Sequence, residues 1–214
     1  MKITRYSVAL LGAGYQEVMY QDVKSGTISL NDYKQPFSDI NALALKGAFN
    51  LPFVETSAQS GMSKKWQFGN FTITNQFFPP KFLIAQDNTT SIDDIMGMVR
   101  KIIDFASLSD KIGKIGINFD VIIEKDLIVK DVILKEGIAK EFSGVSTTLE
   151  KKINECQKLN LTIAGAKDME TNKSLIYVNA NFDNKVTLEN TIAKILQEDC
   201  LPILEQKVSA IFGV

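Results

Sequence analysis

Three carboxylates lie close together near the start of a periodic apolar stretch. Asp87, Asp93 and Asp94 flank the segment NTTSI. Paired carboxylates can bind Mg²⁺ or serve as general acid and base. At the first turn of a helix, the same residues complement the helix dipole and cap free N–H groups. We favour the cap, so the sequence predicts no catalytic residue and no metal site here.

Two short stretches contain the residue types of phosphate-binding loops. Residues 12–14 (GAG) follow an apolar run, but the third glycine and the following helix of a dinucleotide-binding fingerprint are missing. Residues 61–65 (GMSKK) hold P-loop residue types in the wrong order and spacing. Lys64, Lys65 and Trp66 would suit a nucleic-acid strand, although a solvated loop with Trp66 in the core is favoured. We therefore expect no cofactor and no nucleic-acid partner.

The chain contains no histidine. This excludes Ser-His-Asp and Cys-His catalysis and every histidine metal site, so an enzyme would depend on carboxylates, lysine, tyrosine, serine or cysteine. The two cysteines, Cys156 and Cys200, are far apart and form no CxxC motif. This usage is typical of reduced cysteines in a cytosolic protein, and we expect a cytoplasmic location.

The composition is that of a soluble globular protein. Of the 214 residues, 45% are hydrophobic and 23% are charged, and the formal net charge is −1. A dedicated nucleic-acid binder usually carries a basic excess, which is missing here. No apolar run approaches the roughly 20 residues that span a bilayer, so no membrane partner is expected.

The best candidate for function is an aromatic and proline-rich segment. Phe77, Phe78, Pro79 and Pro80 stand at the tip of an expected hairpin. Aromatic side chains on a loop stiffened by prolines are good interface anchors, because they bury much area at a small entropy cost. The alternative is that the two rings fold back over the open end of the sheet, and the sequence does not decide between the two.

The clearest structural pattern is an amphipathic helix over Asn88–Phe105. Ser91 can cap it, with Asp94 in the place of the glutamate of a capping box. Apolar residues recur at three- and four-residue steps and predict one buried face; they are Ile92, Ile95, Met96, Val99, Ile102, Ile103 and Ala106.

The remaining pattern is mostly that of β-strands. A second long helix is expected over Thr187–Phe212, divided by Pro202 near Asp199 to Leu201, and a short one over Ser38–Phe49. Residues Ser146–Gln157 fit a helix or an edge strand equally well. The expected strands are Ile3–Leu11, Tyr15–Val23, Trp66–Asn75, Lys81–Gln86, Ile115–Ile123, Leu127–Leu134, Leu159–Ala166 and Ser174–Phe182.

The order of these elements repeats. An offset of 96 residues places Ser91 on Thr187 and Phe82 on Val178, and an offset of 90 places Phe71 on Leu161. Each half would then read β-hairpin, β-hairpin, long helix, with halves 1–110 and 111–214 sharing a core. Duplication and chance similarity of β-β-α patterns are both open. Either way, the predicted fold is α+β, an antiparallel sheet or sheets with two long amphipathic helices on one face.

The chain from residue 60 onward resembles a sporadically distributed bacterial family of uncharacterised α+β proteins. The resemblance covers residues 60–214 and depends on the Trp66-bearing strand, the long helix and the segment KIGINF at 114–119. In the family, the strand that corresponds to residues 114–119 carries an Arg-Tyr-Asn type signature. Here the arginine is missing and Phe119 replaces the tyrosine. The resemblance implies no activity and no site residues.

These patterns favour a non-catalytic, cytosolic binding protein that acts through protein–protein contacts, with another protein or as a homodimer. The alternative is a protein that binds a small apolar ligand between sheet and helices, lined by Met62, Met96 and Met98. An enzyme that uses aspartate or lysine is a third and less favoured reading.

Overall fold

A single antiparallel sheet of nine strands is the centre of the computed structural model, in the order β2-β3-β4-β5-β1-β6-β9-β8-β7. The structure describes residues 1–12, 37, 40, 45, 53–57, 63–76, 80–87, 91–105, 108–124, 146–167, 174–185 and 194–213. Helices accompany the sheet, so the fold is α+β as predicted. The strands are β1 (Lys2–Gly12), β2 (Phe53–Ser57), β3 (Ser63–Phe68), β4 (Phe71–Gln76), β5 (Lys81–Asp87), β6 (Ile112–Ile123), β7 (Ser146–Lys152), β8 (Gln157–Lys167) and β9 (Ser174–Lys185).

The expected single strand Trp66–Asn75 is wrong, because a two-residue turn divides it into β3 and β4. Gly69 adopts a left-handed conformation with a φ of 57°, which glycine reaches without the steric cost of a Cβ. The turn shifts the side-chain alternation, so Trp66 before it and Ile73 after it are both fully buried and lie opposite each other. This shift explains why the sequence shows apolar residues at both parities.

Strands β1 and β6 lie at the centre of the sheet and have no free edge. Val8 lies opposite Ile84 of β5 on one side and Ile117 of β6 on the other. Strand β6 lies between β1 and β9. The expected hairpins of these strands with Tyr15–Val23 and Leu127–Leu134 are therefore wrong, and both of those segments lie outside the described residues.

The first long helix is confirmed as α1 (Ile92–Phe105). The Ser91 hydroxyl accepts a hydrogen bond of 3.2 Å from the Asp93 N–H and caps the helix as expected. Ile95, Met96, Val99 and Ile102 are buried. The charged residues Asp93, Asp94, Arg100, Lys101 and Asp104 are exposed.

The last helix is divided where the sequence predicts. A π-helical turn, Lys194–Cys200, is followed by α2 (Leu201–Phe212), with Pro202 in its first turn. Pro202 has no N–H to continue the α-helical pattern from the preceding turn, so the hydrogen bonding changes at this point. Gly213, with a φ of 63°, ends α2 and donates its N–H to the Ser209 carbonyl. Residues 187–193 lie outside the described residues.

One face of the sheet forms the hydrophobic core together with the helices. Its members include Trp66 and Phe82 from the first half, Phe119 and Phe182 from the second, and Val208 from α2. The ambiguous segment at 146–157 begins with a strand, β7, at one edge of the sheet, and its last residue, Gln157, begins β8. Ser38–Phe49 is described only at Ile40 and Leu45, which are both buried.

Candidate functional site

Only one of the four predicted interface residues is described. Pro80 is buried, and its carbonyl accepts a 3.2 Å hydrogen bond from the Gly12 N–H at the end of β1. Phe77, Phe78 and Pro79 lie outside the described residues. The aromatic interface therefore stays a prediction, with Pro80 packed into the protein beside β1.

Two of the three carboxylates near α1 contact side chains from other elements. Asp87 pairs with Arg5, with Oδ1 and Nε 2.8 Å apart. Asp93 Oδ1 accepts a 3.0 Å hydrogen bond from Gln197 Nε2 of the π-helical turn. In the part of the chain that is described, no group of three or more His, Cys, Asp or Glu side chains could hold a metal ion.

The lysine-rich stretch before Trp66 does not form a stacking platform. Trp66 is fully buried in the core, as favoured from the sequence. Its indole is therefore inaccessible to a nucleic-acid base. Lys64 and Lys65 lie on β3. Of the other glycine-containing stretch, residues 12–14, the structure describes Gly12, which is the last residue of β1.

A polar network covers the second face of the sheet at β1, β6 and β9. Asp120 lies at its centre with a side chain that is 15% exposed, and Asn179 donates to its Oδ1. Arg5 Nη1 is 4.0 Å from Asp120 Oδ2, so Arg5 links two carboxylates. The network joins β1, β6 and β9 through the side chains of Arg5, Asp120 and Asn179.

Tyr177 also belongs to this network. Burial, followed by a hydrogen bond to Asp120 and the negative charge of that carboxylate, raises the pKa of the Tyr177 phenol. Nearby, Asn181 donates to Asn118, and Lys114 Nζ lies 3.5 Å from Asp183 Oδ2. Burial and the contact with Asp120 keep the Tyr177 phenol protonated as a donor rather than preparing it as a base.

A second polar cluster is buried beneath β8 and β9. Gln157 Nε2 lies 3.7 Å from Cys200 Sγ. The side chain of Asn184 is also buried, and its Nδ2 has no hydrogen-bond partner among the described residues. Burial raises the pKa of Cys200 to about 12. The thiol is therefore an inert core group at neutral pH, because the thiolate is the reactive form.

The most accessible element is the edge strand β7. Every side chain in it is exposed except Thr147, which is half-buried. Among the described residues, β8 is the one strand that pairs with β7. An edge strand presents unpaired N–H and C=O groups that can accept another strand.

Strand β7 and helix α2 together form a rim, which we define by Leu149, Lys151, Lys207 and Ile211. Leu149 is 46% exposed and Ile211 is 40% exposed, both high for large apolar side chains. The close approach of the Lys151 ammonium, and then the repulsion between the two cations, lower the pKa of Lys207. The rim thus combines apolar surface with two neighbouring positive charges.

Comparison with protein-family models and with curated proteins finds no match. Among the described helices, none has the length and apolar character needed to cross a membrane.

The sequence predicts the polar side of β6 but not its partners. Alternation places Asp120 opposite the apolar residues, yet Arg5 and Asn179 reach it from strands distant in sequence. The rim was missed because residues 146–157 fit a helix and a strand equally well. The charged run EKK at the end of β7, typical of edge strands, is the signal that would have found it.

Proposed function

We propose that the protein is a non-catalytic binding protein that acts through protein–protein contacts, and that it binds an extended segment of its partner along the edge of β7. One observation carries this proposal: β7 is a seven-residue, almost fully exposed strand at the end of the sheet. Strand addition would satisfy its unpaired backbone groups, while side chains on the rim would supply specificity.

The two cysteines support a cytoplasmic location. Cys156 is exposed, Cys200 is buried, and both are free. Because the chain has two cysteines in total, it contains no disulfide bond of the kind that secreted domains use.

Proline substitutions at Thr148 and Leu149 test the proposal. Successive N–H groups of an antiparallel strand point to opposite edges, so one variant loses a bond to β8 and the other loses an N–H at the free edge. A displayed library of random peptides as long as β7 supplies the ligand. We expect the free-edge variant to keep its unfolding midpoint and to lose binding of the selected peptides by at least about tenfold, equivalent to one lost hydrogen bond.

The matched control is Val54→Pro on β2, the opposite edge of the sheet, where Val54 is 63% exposed. This variant should keep full peptide binding. Failure to select any peptide, or equal binding to all three proline variants, contradicts strand addition at β7.

A second candidate function is the binding of a small, mainly apolar ligand in the core. Trp66 Nε1 and Asn75 Oδ1 are buried and have no hydrogen-bond partner among the residues that the structure describes. The two residues belong to one part of the core, since the Trp66 ring lies 6.5 Å from that of Phe82, which lies opposite Asn75. An unpaired buried polar group costs about 1–3 kcal/mol, and one ligand hydroxyl could satisfy both atoms.

The methionines expected near such a ligand are partly described. Met96 and Met98 are buried members of the core, and Met62 lies outside the described residues. Trp66 is the chain's single tryptophan, so its fluorescence reports on this site alone. Titration with medium-chain alcohols should give a saturable change in emission that Asn75→Leu abolishes. A change that never saturates, or that persists in Asn75→Leu, rules this candidate out.

We also infer that the chain arose by internal duplication. The order β3-β4-β5-β1 in the first half corresponds to β7-β8-β9-β6 in the second, and β1 pairs with β6 at the centre. Each half ends in a helical segment, α1 or the π-helical turn with α2. In support of two helices on one face, both contribute buried residues to the same hydrophobic cluster.

The strand registers change which residues of the two halves are equivalent. An offset of 96 takes Gln86 on β5 to Phe182 on β9. Gln86 lies opposite Phe71 of β4, and Phe182 lies opposite Leu159 of β8. Phe71 therefore corresponds to Leu159, two residues before the Leu161 expected from the sequence.

A further inference from the structure

The rim has a defined arrangement on the core side of β7. Leu149 lies opposite Leu161 of β8, and Lys151 lies opposite Leu159. Both β8 residues are buried in the core, so Leu149 and Lys151 project from the same face of the sheet. Glu150 projects from the other face, where its Oε1 lies 3.5 Å from Lys158 Nζ.

The charge on this side of β7 is positive and unbalanced. Lys207 of α2 reaches Lys151, and neither lysine forms an ion pair with another described residue. Ile211 follows Lys207 by one helical turn and lies on the same side of α2. A partner segment on this edge would thus meet two cations and nearby apolar surface.

An added antiparallel strand would face these residues in a fixed order. Residues that lie opposite each other in an antiparallel pair project from the same face. Because the strands run in opposite directions, the partner residue opposite Lys151 comes two positions before the one opposite Leu149. The side chains of Lys151 and Leu149 therefore determine which residue types fit at these two positions of the partner.

We propose that the β7 edge binds an extended acidic segment of a partner protein, with Asp or Glu two positions before a large apolar residue. This inference rests on the proposed function and names the partner class for the same site. The carboxylate lies between Lys151 and Lys207, and the apolar side chain covers Leu149.

A second copy of the chain does not fit this edge. Antiparallel pairing of two β7 strands about Leu149 would place Lys151 of one copy opposite Thr147 of the other. Pairing them about Glu150 would place like charges opposite each other, which is unfavourable. In neither arrangement does a carboxylate lie opposite Lys151, so the partner is a different protein.

Three synthetic peptides as long as β7, alike except for a central Glu-Thr-Leu, Lys-Thr-Leu or Leu-Thr-Glu, test the inference by fluorescence anisotropy. We expect Glu-Thr-Leu to bind about tenfold more tightly than Lys-Thr-Leu at low salt, as two exposed charge pairs would allow. The difference should shrink at 1 M salt, where charges are screened within about 3 Å.

Lys151→Glu should reverse the preference between Glu-Thr-Leu and Lys-Thr-Leu. Lys152→Glu is the matched control, because Lys152 is on the same strand but lies opposite Lys158 on the other face. It should leave the order of affinities unchanged.

The outcomes separate the two proposals. If no peptide binds, the proposed function fails together with this inference. If all three bind equally, β7 still accepts strands but the acidic partner class is wrong. Concentration-dependent self-association that is lost in the free-edge proline variant would show that the occupant is a second copy and would overturn the inference.

Discussion

Phe119→Ala is expected to lower the free energy of unfolding by about 3–5 kcal/mol, the usual cost of truncating a fully buried aromatic residue. Phe119 has no exposed surface, and its ring lies 5.5 Å from that of Tyr6 and 6.0 Å from that of Phe182. Both contacts are edge-to-face, and they join β1, β6 and β9. Alanine leaves a cavity where β1, β6 and β9 meet.

Urea unfolding followed by circular dichroism and Trp66 fluorescence measures this loss. Leu149→Ala is the control, because Leu149 is 46% exposed and its truncation should change stability by less than about 0.5 kcal/mol. A loss below about 1 kcal/mol for Phe119→Ala would mean that the centre of the sheet is not the main core.

Stability is expected to fall as the pH rises above about 9, and Cys200 is a main cause. Burial raises its pKa from 9.0 to about 12, so the unfolded chain loses this proton at a lower pH than the folded protein. Between these values the folded state binds more protons, and stability falls by up to about 1.4 kcal/mol per pH unit. Below pH 9 both states are protonated and the effect disappears.

Unfolding midpoints between pH 7 and pH 11 test this effect in wild type and Cys200→Ala. The variant should be less stable at pH 7, because it leaves a cavity, but its stability should fall less steeply from pH 9 upward. Cys156→Ala, in the exposed turn before β8, should keep the wild-type slope. Buried Tyr6 and half-buried Tyr177, whose pKa values are also raised, add a decline above pH 10 that all variants share. Equal slopes for all three proteins would contradict the assignment to Cys200.

Elements with strong local patterns were predicted well. The stripe and cap of α1, the division at Pro202 and the β8–β9 hairpin are each determined by residues close in sequence. Pairing of distant strands was not predicted. Nothing local to Val8 shows that its neighbours are Ile84 and Ile117, because long-range pairing depends on the whole sheet.

The candidate site was harder to predict than the fold. An exposed edge strand has no apolar alternation, so β7 shows neither a strand period nor a helix period clearly. The contact of Lys151 with Lys207 joins residues that are distant in sequence, and no spacing rule reports it. Conversely, the two aromatic residues and two prolines at 77–80 stand out in the sequence, but their role stays a prediction.

Hydrogen–deuterium exchange of the amides in residues 146–152, with and without a selected peptide, tests strand addition most directly. If the partner adds to the edge of β7, the amides that face the free edge gain hydrogen bonds, and their exchange should slow by at least about tenfold, since one hydrogen bond contributes about 1 kcal/mol or more. Exchange in β2 should stay unchanged. Unchanged exchange in β7, with protection instead on the Asp120 network or at residues 77–80, would contradict the account.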